Sequence, residues 1–143
     1  MTVHGPVIIP ATEGVTMAKL RHVAMVVDDI EKTATFYETA FGLQRVREID
    51  GAVMLSDGVV SLAVIAAYHP NAEGRKGLHH FGFLIDDLEQ SAERVEAAGG
   101  VYHGQINVGE GPKTERKYRD PNGLVFDITT AEHARAVWCI PTD

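Results

Sequence analysis

LRHVAMVVDDIEKTATFYETAFGL, residues 20–43, and LHHFGFLIDDLEQSAERVEAAGGV, residues 78–101, are two copies of one pattern at a constant offset of 58. Aligned without gaps, they share Leu20/Leu78, His22/His80, Asp28/Asp86, Asp29/Asp87, Glu31/Glu89, Ala34/Ala92, Glu38/Glu96, Ala40/Ala98 and Gly42/Gly100. Ordinary residue usage would supply about one or two matches in so short a window. The repeated unit reads as strand, acidic cap, helix and glycine turn. A chain built from two such units places function where equivalent positions converge, and the two strand histidines are such positions.

Each copy begins with a period of two. Val23, Met25, Val27 and Phe81, Phe83, Ile85 form large apolar faces, suited to packing against helices. The other face carries His22 with Ala24, and His80 with Gly82, an imidazole followed by a small residue. That arrangement leaves room beside the ring, as a ligand cavity needs. Asp28 with Glu31, and Asp86 with Glu89, have the spacing of a helix N-cap and its reciprocal partner. These carboxylates are therefore read as structural. Ile30, Ala34, Tyr37 and Phe41 follow at helical spacing, as do Leu88, Ala92, Val95 and Gly99, with Gly42 and Gly100 expected to end the helices.

Strand-like runs follow each helix, near 43–49, 52–56 and 58–66, and near 100–104, 115–119 and 123–130. Asp57-Gly58 and Asn122-Gly123 supply the turns. Each half reads βαβββ, so the expected class is α+β, two packed modules in a mostly antiparallel sheet. Module one spans about 18–67 and module two about 78–130. They are joined through the Pro-, Asn- and Gly-bearing loop Tyr68 to Gly77 and flanked by an arm (1–17) and a tail (131–143).

At 143 residues, with 45% hydrophobic and 23% charged residues, the chain has the makeup of one ordinary globular domain. A net charge of -7 argues against nucleic acid, which demands a cationic face. No apolar run approaches a membrane span, and the first 17 residues lack the features of a secretion signal, so a cytoplasmic protein is expected. The single cysteine, Cys139, excludes an internal disulfide and is read as a tail residue.

In the last strand-like run Leu124, Phe126 and Ile128 alternate with Val125, Asp127 and Thr129, which places Asp127 on the face of His22 and His80. A carboxylate there is costly unless something positive meets it. Two histidines and one carboxylate from three strands compose a facial triad, able to hold Fe(II), Mn(II), Co(II), Ni(II) or Zn(II) with positions left open. A lone strand histidine is more often a hydrogen-bonded core residue. The coincidence of three same-face donors is what favours a metal. His79, on the opposite face of a regular strand, is read as structural or exposed.

Leu20 to Val46, Leu78 to Val101, and Tyr118-Arg119-Asp120-Pro121-Asn122-Gly123 to Ile128 resemble the vicinal oxygen chelate superfamily. That superfamily includes glyoxalase I, methylmalonyl-CoA epimerase, extradiol dioxygenases, and fosfomycin and bleomycin resistance proteins. The resemblance implies a U-shaped sheet with helices on its convex side, one central divalent metal and a small-molecule substrate bound through vicinal oxygens. His22, His80 and Asp127 match its metal ligands, with aspartate where glutamate is usual. A fourth ligand position falls on Leu62 or Ala63, neither able to coordinate. Three ligands agree with the extradiol dioxygenases, so the expected activity is oxygenation of a small catechol-like aromatic, with Fe(II) favoured. The alternatives are a glyoxalase-like lyase, isomerase or epimerase, and a non-catalytic resistance-type binder. Lys117, Tyr118, His69 and His103 are the candidates for proton transfer. The resemblance further implies a homodimer. The concave face is expected to be apolar, without an obvious cation for phosphate or a coenzyme.

Overall fold

A computed structural model describes Gly5, residues 16–107 and residues 114–142, the side chain of Asn107 excepted. The expected N-terminal arm lies almost wholly outside the described residues. Module one runs β1 (Lys19–Val27), α1 (Ile30–Phe41), β2 (Gln44–Ile49), β3 (Ala52–Ser56) and β4 (Ser61–Ala66). Module two runs β5 (Gly77–Leu84), α2 (Leu88–Ala97), β6 (Val101–Asn107), β7 (Thr114–Arg119) and β8 (Val125–Thr129). A short α3 (Ala131–His133) and a π-helical turn (Ala134–Trp138) complete the chain. No helix among the described residues is long and apolar enough to cross a membrane.

All eight strands join one sheet in the order β2-β3-β4-β1-β5-β8-β7-β6. Within each module the first strand pairs parallel with the last, and the modules meet where β1 and β5 run antiparallel. The remaining neighbours are antiparallel, giving the α+β, two-module architecture expected. A flat sheet of eight strands would be roughly 34 Å wide at the usual strand spacing. One cavity nevertheless touches side chains from β2 through β7, so the sheet curls around it.

The periodicity explains the layers. Met25 and Val27 pack with Ala34, Val53, Leu55 and Val64 beneath α1. Phe83, Ile85, Phe126 and Ile128 pack with Ala92 beneath α2. Salt bridges tie each helix to a strand of its own module, Arg45 of β2 to Glu31 and Glu38 on α1, and Arg116 of β7 to Glu89 on α2. The caps sit one residue later than expected. Asp29 accepts from the Lys32 amide and Asp87 from the Gln90 amide, while Glu31 and Glu89 serve those arginines instead of reaching back to a cap. Gly42 ends α1 in the left-handed region at φ 70°, as expected, but α2 finishes earlier and Gly99, not Gly100, takes positive φ.

Candidate metal centre

His22 on β1, His80 on β5 and Asp127 on β8 come together from three strands of one chain. Register does this. His80 faces Ala24, and Gly82 faces both His22 and Asp127, so the three side chains rise from adjacent positions on one face. Their donor atoms lie close: Nε2 of His22 to Nε2 of His80 is 3.3 Å, and Asp127 Oδ2 is 3.2 Å from His80 and 3.9 Å from His22. All three residues are buried.

Each ligand ring has a partner behind it for its Nδ1. Ser61 Oγ lies 3.2 Å from His22 Nδ1 and can accept its proton, as a metal-ligating Nε2 would require. His79 Nε2 stands 3.0 Å from the Ala72 carbonyl, an acceptor only, closer than the 3.3 Å approach of Arg75 to the same atom. His79 Nε2 therefore donates, and its Nδ1 accepts from His80 Nδ1 at 2.8 Å. Both ligand histidines are left with Nε2 lone pairs aimed into the gap. Burial keeps them neutral, lowering His22 to about 3 and His80 to about 4.

Asp127 Oδ2, facing the same gap, is buried and has no hydrogen-bond partner among the described residues. Burial and the charge of Glu115 push its carboxyl well above the ordinary range. Two neutral imidazole nitrogens and one carboxyl oxygen thus converge on a single point, where a cation would take the place of the proton that burial otherwise favours on Asp127. At metal–nitrogen distances near 2.0–2.1 Å, neighbouring ligands on one ion lie about 3.0–3.4 Å apart, which two of the three spacings match and the 3.9 Å between His22 and Asp127 exceeds by about 0.5 Å. The residues fit a divalent ion of the kind served by nitrogen and oxygen ligands.

Lys117 adjoins the centre on β7. Its Nζ donates to Asp127 Oδ1 at 2.7 Å and to Glu115 Oε1 at 3.1 Å. Burial alone would lower this ammonium, but the two carboxylates outweigh it and hold its pKa raised. Burial likewise works against an ionised Glu115, yet the His133 hydrogen bond and Lys117 charge hold it well below the usual range. Glu115 Oε2 also accepts from His133 Nε2 at 2.9 Å and from Trp138 Nε1 at 3.1 Å.

The tail thus builds part of the site. Trp138 is fully buried, docked on Glu115 and stacked on the His22 ring with centroids 4.5 Å apart and planes 5° apart. It occupies the space beside Gly82 that the sequence suggested would be open. A Cβ at residue 82 would meet two Trp138 ring carbons at 2.9 Å.

A cavity of about 180 Å³ opens beside the triad, lined by His22 and His80 together with Arg47, Met54, Ala63, His69, Lys117 and Trp138, among others. Ala63, not Leu62, holds the fourth position, since Ala24 pairs with Ala63 as Gly82 pairs with Asp127. The other proton-transfer candidates divide. Lys117 and His69 line the cavity. Tyr118 points the other way, buried against Phe126 with its hydroxyl on Glu96 of α2. His103 pairs with Glu73 and does not line the cavity. Two further expectations are corrected. The cavity contains cations, Lys117 and Arg47. His79 is buried beside His80, because the β1–β5 register jumps from Ala24/His80 to Met25/Leu78 and leaves His79 as the bulged residue.

A family model described as the Glyoxalase/Bleomycin resistance protein/Dioxygenase superfamily matches residues 19–128. The chain belongs to that superfamily. Solved structures of the superfamily's fold align over most of the chain. A hypothetical protein from Bacillus halodurans is 16% identical, with a TM-score of 0.65 over 80% of this chain and 95% of its own. A Streptomyces coelicolor methylmalonyl-CoA epimerase in complex with 2-nitronate-propionyl-CoA is 20% identical, with a TM-score of 0.62 over 80% of this chain and 98% of its own. The 2,3-dioxygenase LapB from Pseudomonas sp. KL28 is 20% identical, with a TM-score of 0.61 over 78% of this chain but 40% of its own. At these identities the likeness is one of fold. No curated protein matches significantly.

Proposed function

We propose that this superfamily member is a metal-dependent enzyme of the lyase, isomerase or epimerase type, moving a proton at a carbon beside a carbonyl of a small compound with two neighbouring oxygens. The observation that carries this is Lys117, an ammonium on the cavity wall beside the triad, 2.7 Å from Asp127 Oδ1. An ion held by His22, His80 and Asp127 would act as a Lewis acid, polarising the carbonyl and favouring the oxyanion formed when the carbon loses its proton. Lys117 holds a proton at Nζ that it can share with such an oxygen. His69, at the cavity wall, is the candidate to accept the carbon's proton, at Nδ1 and in exchange for the hydrogen bond that atom receives from the Asn71 amide. Ala63 contributes no donor, leaving space for substrate oxygens. Val137 and Trp138 close the tail side against water. The small cavity, below the roughly 300–1,000 Å³ common for drug-sized ligands, suits a compact substrate or the head of a larger one. Several structural neighbours are methylmalonyl-CoA epimerases, which supports the same class of chemistry.

Oxygenation of a catechol-like aromatic is the second reading, favoured by the three-ligand donor set. Tyr118 turned towards α2 counts against it. Two assays on one metal-loaded preparation separate the readings: deuterium incorporation from D2O into 2-substituted acyl thioesters and 2-oxo acids, and oxygen uptake with catechols. Exchange without oxygen uptake is the expected result; oxygen uptake without exchange would overturn the first reading in favour of the second. The exposed Leu20 and Leu78, equivalent positions of the repeat, support the homodimer implied by the family resemblance.

A further inference from the structure

Arg47 is a guanidinium in the wrong place for a structural role. Two positions apart on β2, Arg45 and Arg47 would share a face of a regular strand. The β2–β3 register breaks between them: Arg45 faces Leu55, Arg47 faces Met54, and Val46 is the extra residue. The two arginines therefore part. Arg45 stays beside the α1-side core and pairs with Glu31, Glu38 and Glu48. Arg47 is carried to the concave side with Met54 and lines the same cavity as His22 and His80.

Its environment there is incomplete. Among the described residues Arg47 makes no ion pair, and its one side-chain hydrogen bond is a long 3.4 Å contact from Nη1 to the Val137 carbonyl. A guanidinium presents five N–H donors in a planar fork. Lys117, the other cation of the cavity, is already matched to two acids. Arg47 is not. Register places it on one cross-strand row with Met54, Ala63, Ala24 and His80, whose middle members are small or flexible. A ligand lying along that row would have the triad at one end and the fork at the other. Ile49, Met54 and Ile106 wall the space between with apolar surface.

We propose that Arg47 is the specificity-determining residue of this cavity and that the substrate is a small carboxylic acid. Its carboxylate is received by the Arg47 fork while its vicinal oxygens face His22, His80 and Asp127. This rests on the metal-dependent reading of the site. A carboxylate, planar and singly charged, matches one unsupported guanidinium through two parallel hydrogen bonds. In a chain of net charge -7 an anion needs such a local attraction to enter.

The test uses two pairs of probes that carry vicinal oxygens at one end and differ at the other: 3,4-dihydroxybenzoate against its amide, and 2-oxoglutarate against its 5-amide. Binding to the Co(II)-loaded protein is measured by calorimetry, with the visible Co(II) spectrum recorded alongside. In at least one pair the acid should bind the native protein at least tenfold more tightly than the amide. Arg47→Met should reduce that preference to within twofold and leave the Co(II) spectrum of the free protein unchanged. Arg47→Lys, a second variant that keeps charge but loses the fork, should retain part of it. Acid and amide binding equally, neither acid binding at all, or a preference that survives Arg47→Met would each overturn the assignment. A native protein showing no Co(II) absorption would instead overturn the metal reading, so the two failures are distinguishable.

Discussion

Gly82→Ala should destabilise the protein through the tail rather than through the backbone. Gly82 does not have positive φ, so alanine is allowed there, and its repeat-equivalent is Ala24. The new Cβ would stand 2.9 Å from Cη2 and Cζ2 of Trp138 and 3.1 Å from Cβ of His22. The indole cannot step aside, being fully buried, hydrogen-bonded to Glu115 and stacked on His22. Overpacking of this kind costs about 1–3 kcal/mol. Loss of glycine's freedom in the unfolded chain returns about 0.4–1 kcal/mol. Taking the middle of each range, the net loss is about 1.3 kcal/mol, a Tm lower by roughly 3–5 °C for a domain of this size. Trp138→Leu removes the obstructing ring, so in a urea double-mutant cycle Gly82→Ala should cost at least about 1 kcal/mol less in that background. A Gly82→Ala protein as stable as the native one, or strictly additive effects, would refute the packing of Trp138 against the metal-centre strands.

Other perturbations address the centre itself. Asp127→Asn should abolish retention of a divalent ion after dialysis, measured by elemental analysis, because the amide nitrogen or oxygen replaces the unpartnered carboxylate oxygen. His79→Ala should weaken Co(II) affinity about 10–100-fold in a chelator competition, the usual effect of losing a group that orients a ligand imidazole. Chelated protein should lose stability on acidification. His22 and His80 are depressed when folded, so the unfolded chain binds their protons first, and each costs about 1.4 kcal/mol per pH unit below their ordinary pKa. The raised Asp127 works in the opposite sense and offsets at most one of the two. Urea melts at pH 7 and pH 5 should show the decline, and equal stability would contradict neutral burial of the rings.

Much of this architecture is legible in one dimension. The 58-residue offset reveals two modules, and period-two alternation puts His22, His80 and Asp127 on one face, because burial of the opposite face leaves a regular strand no second choice. Alternation also places Glu115 beside Lys117 and Asp127, but in sequence an acid near a loop is indistinguishable from a solvated one. What alternation cannot show is where it breaks. The bulges at His79 and Val46 each add one residue, bringing one histidine behind His80 and one arginine into the cavity, and no local composition marks them. The choice between Leu62 and Ala63 waited on the length of the turn after Gly58. Trp138 and His133 were opaque for a different reason. Their partners, His22 and Glu115, are remote in sequence, and tail docking of that kind leaves no periodic trace.

The account depends on lone pairs of His22, His80 and Asp127 closing on one ion. Elemental analysis of the purified protein and of His80→Ala, each dialysed after exposure to divalent ions, tests that claim directly. One equivalent per chain in the native protein, and almost none in the variant, is the predicted result. An empty native protein, or a variant that keeps its full equivalent, would contradict it.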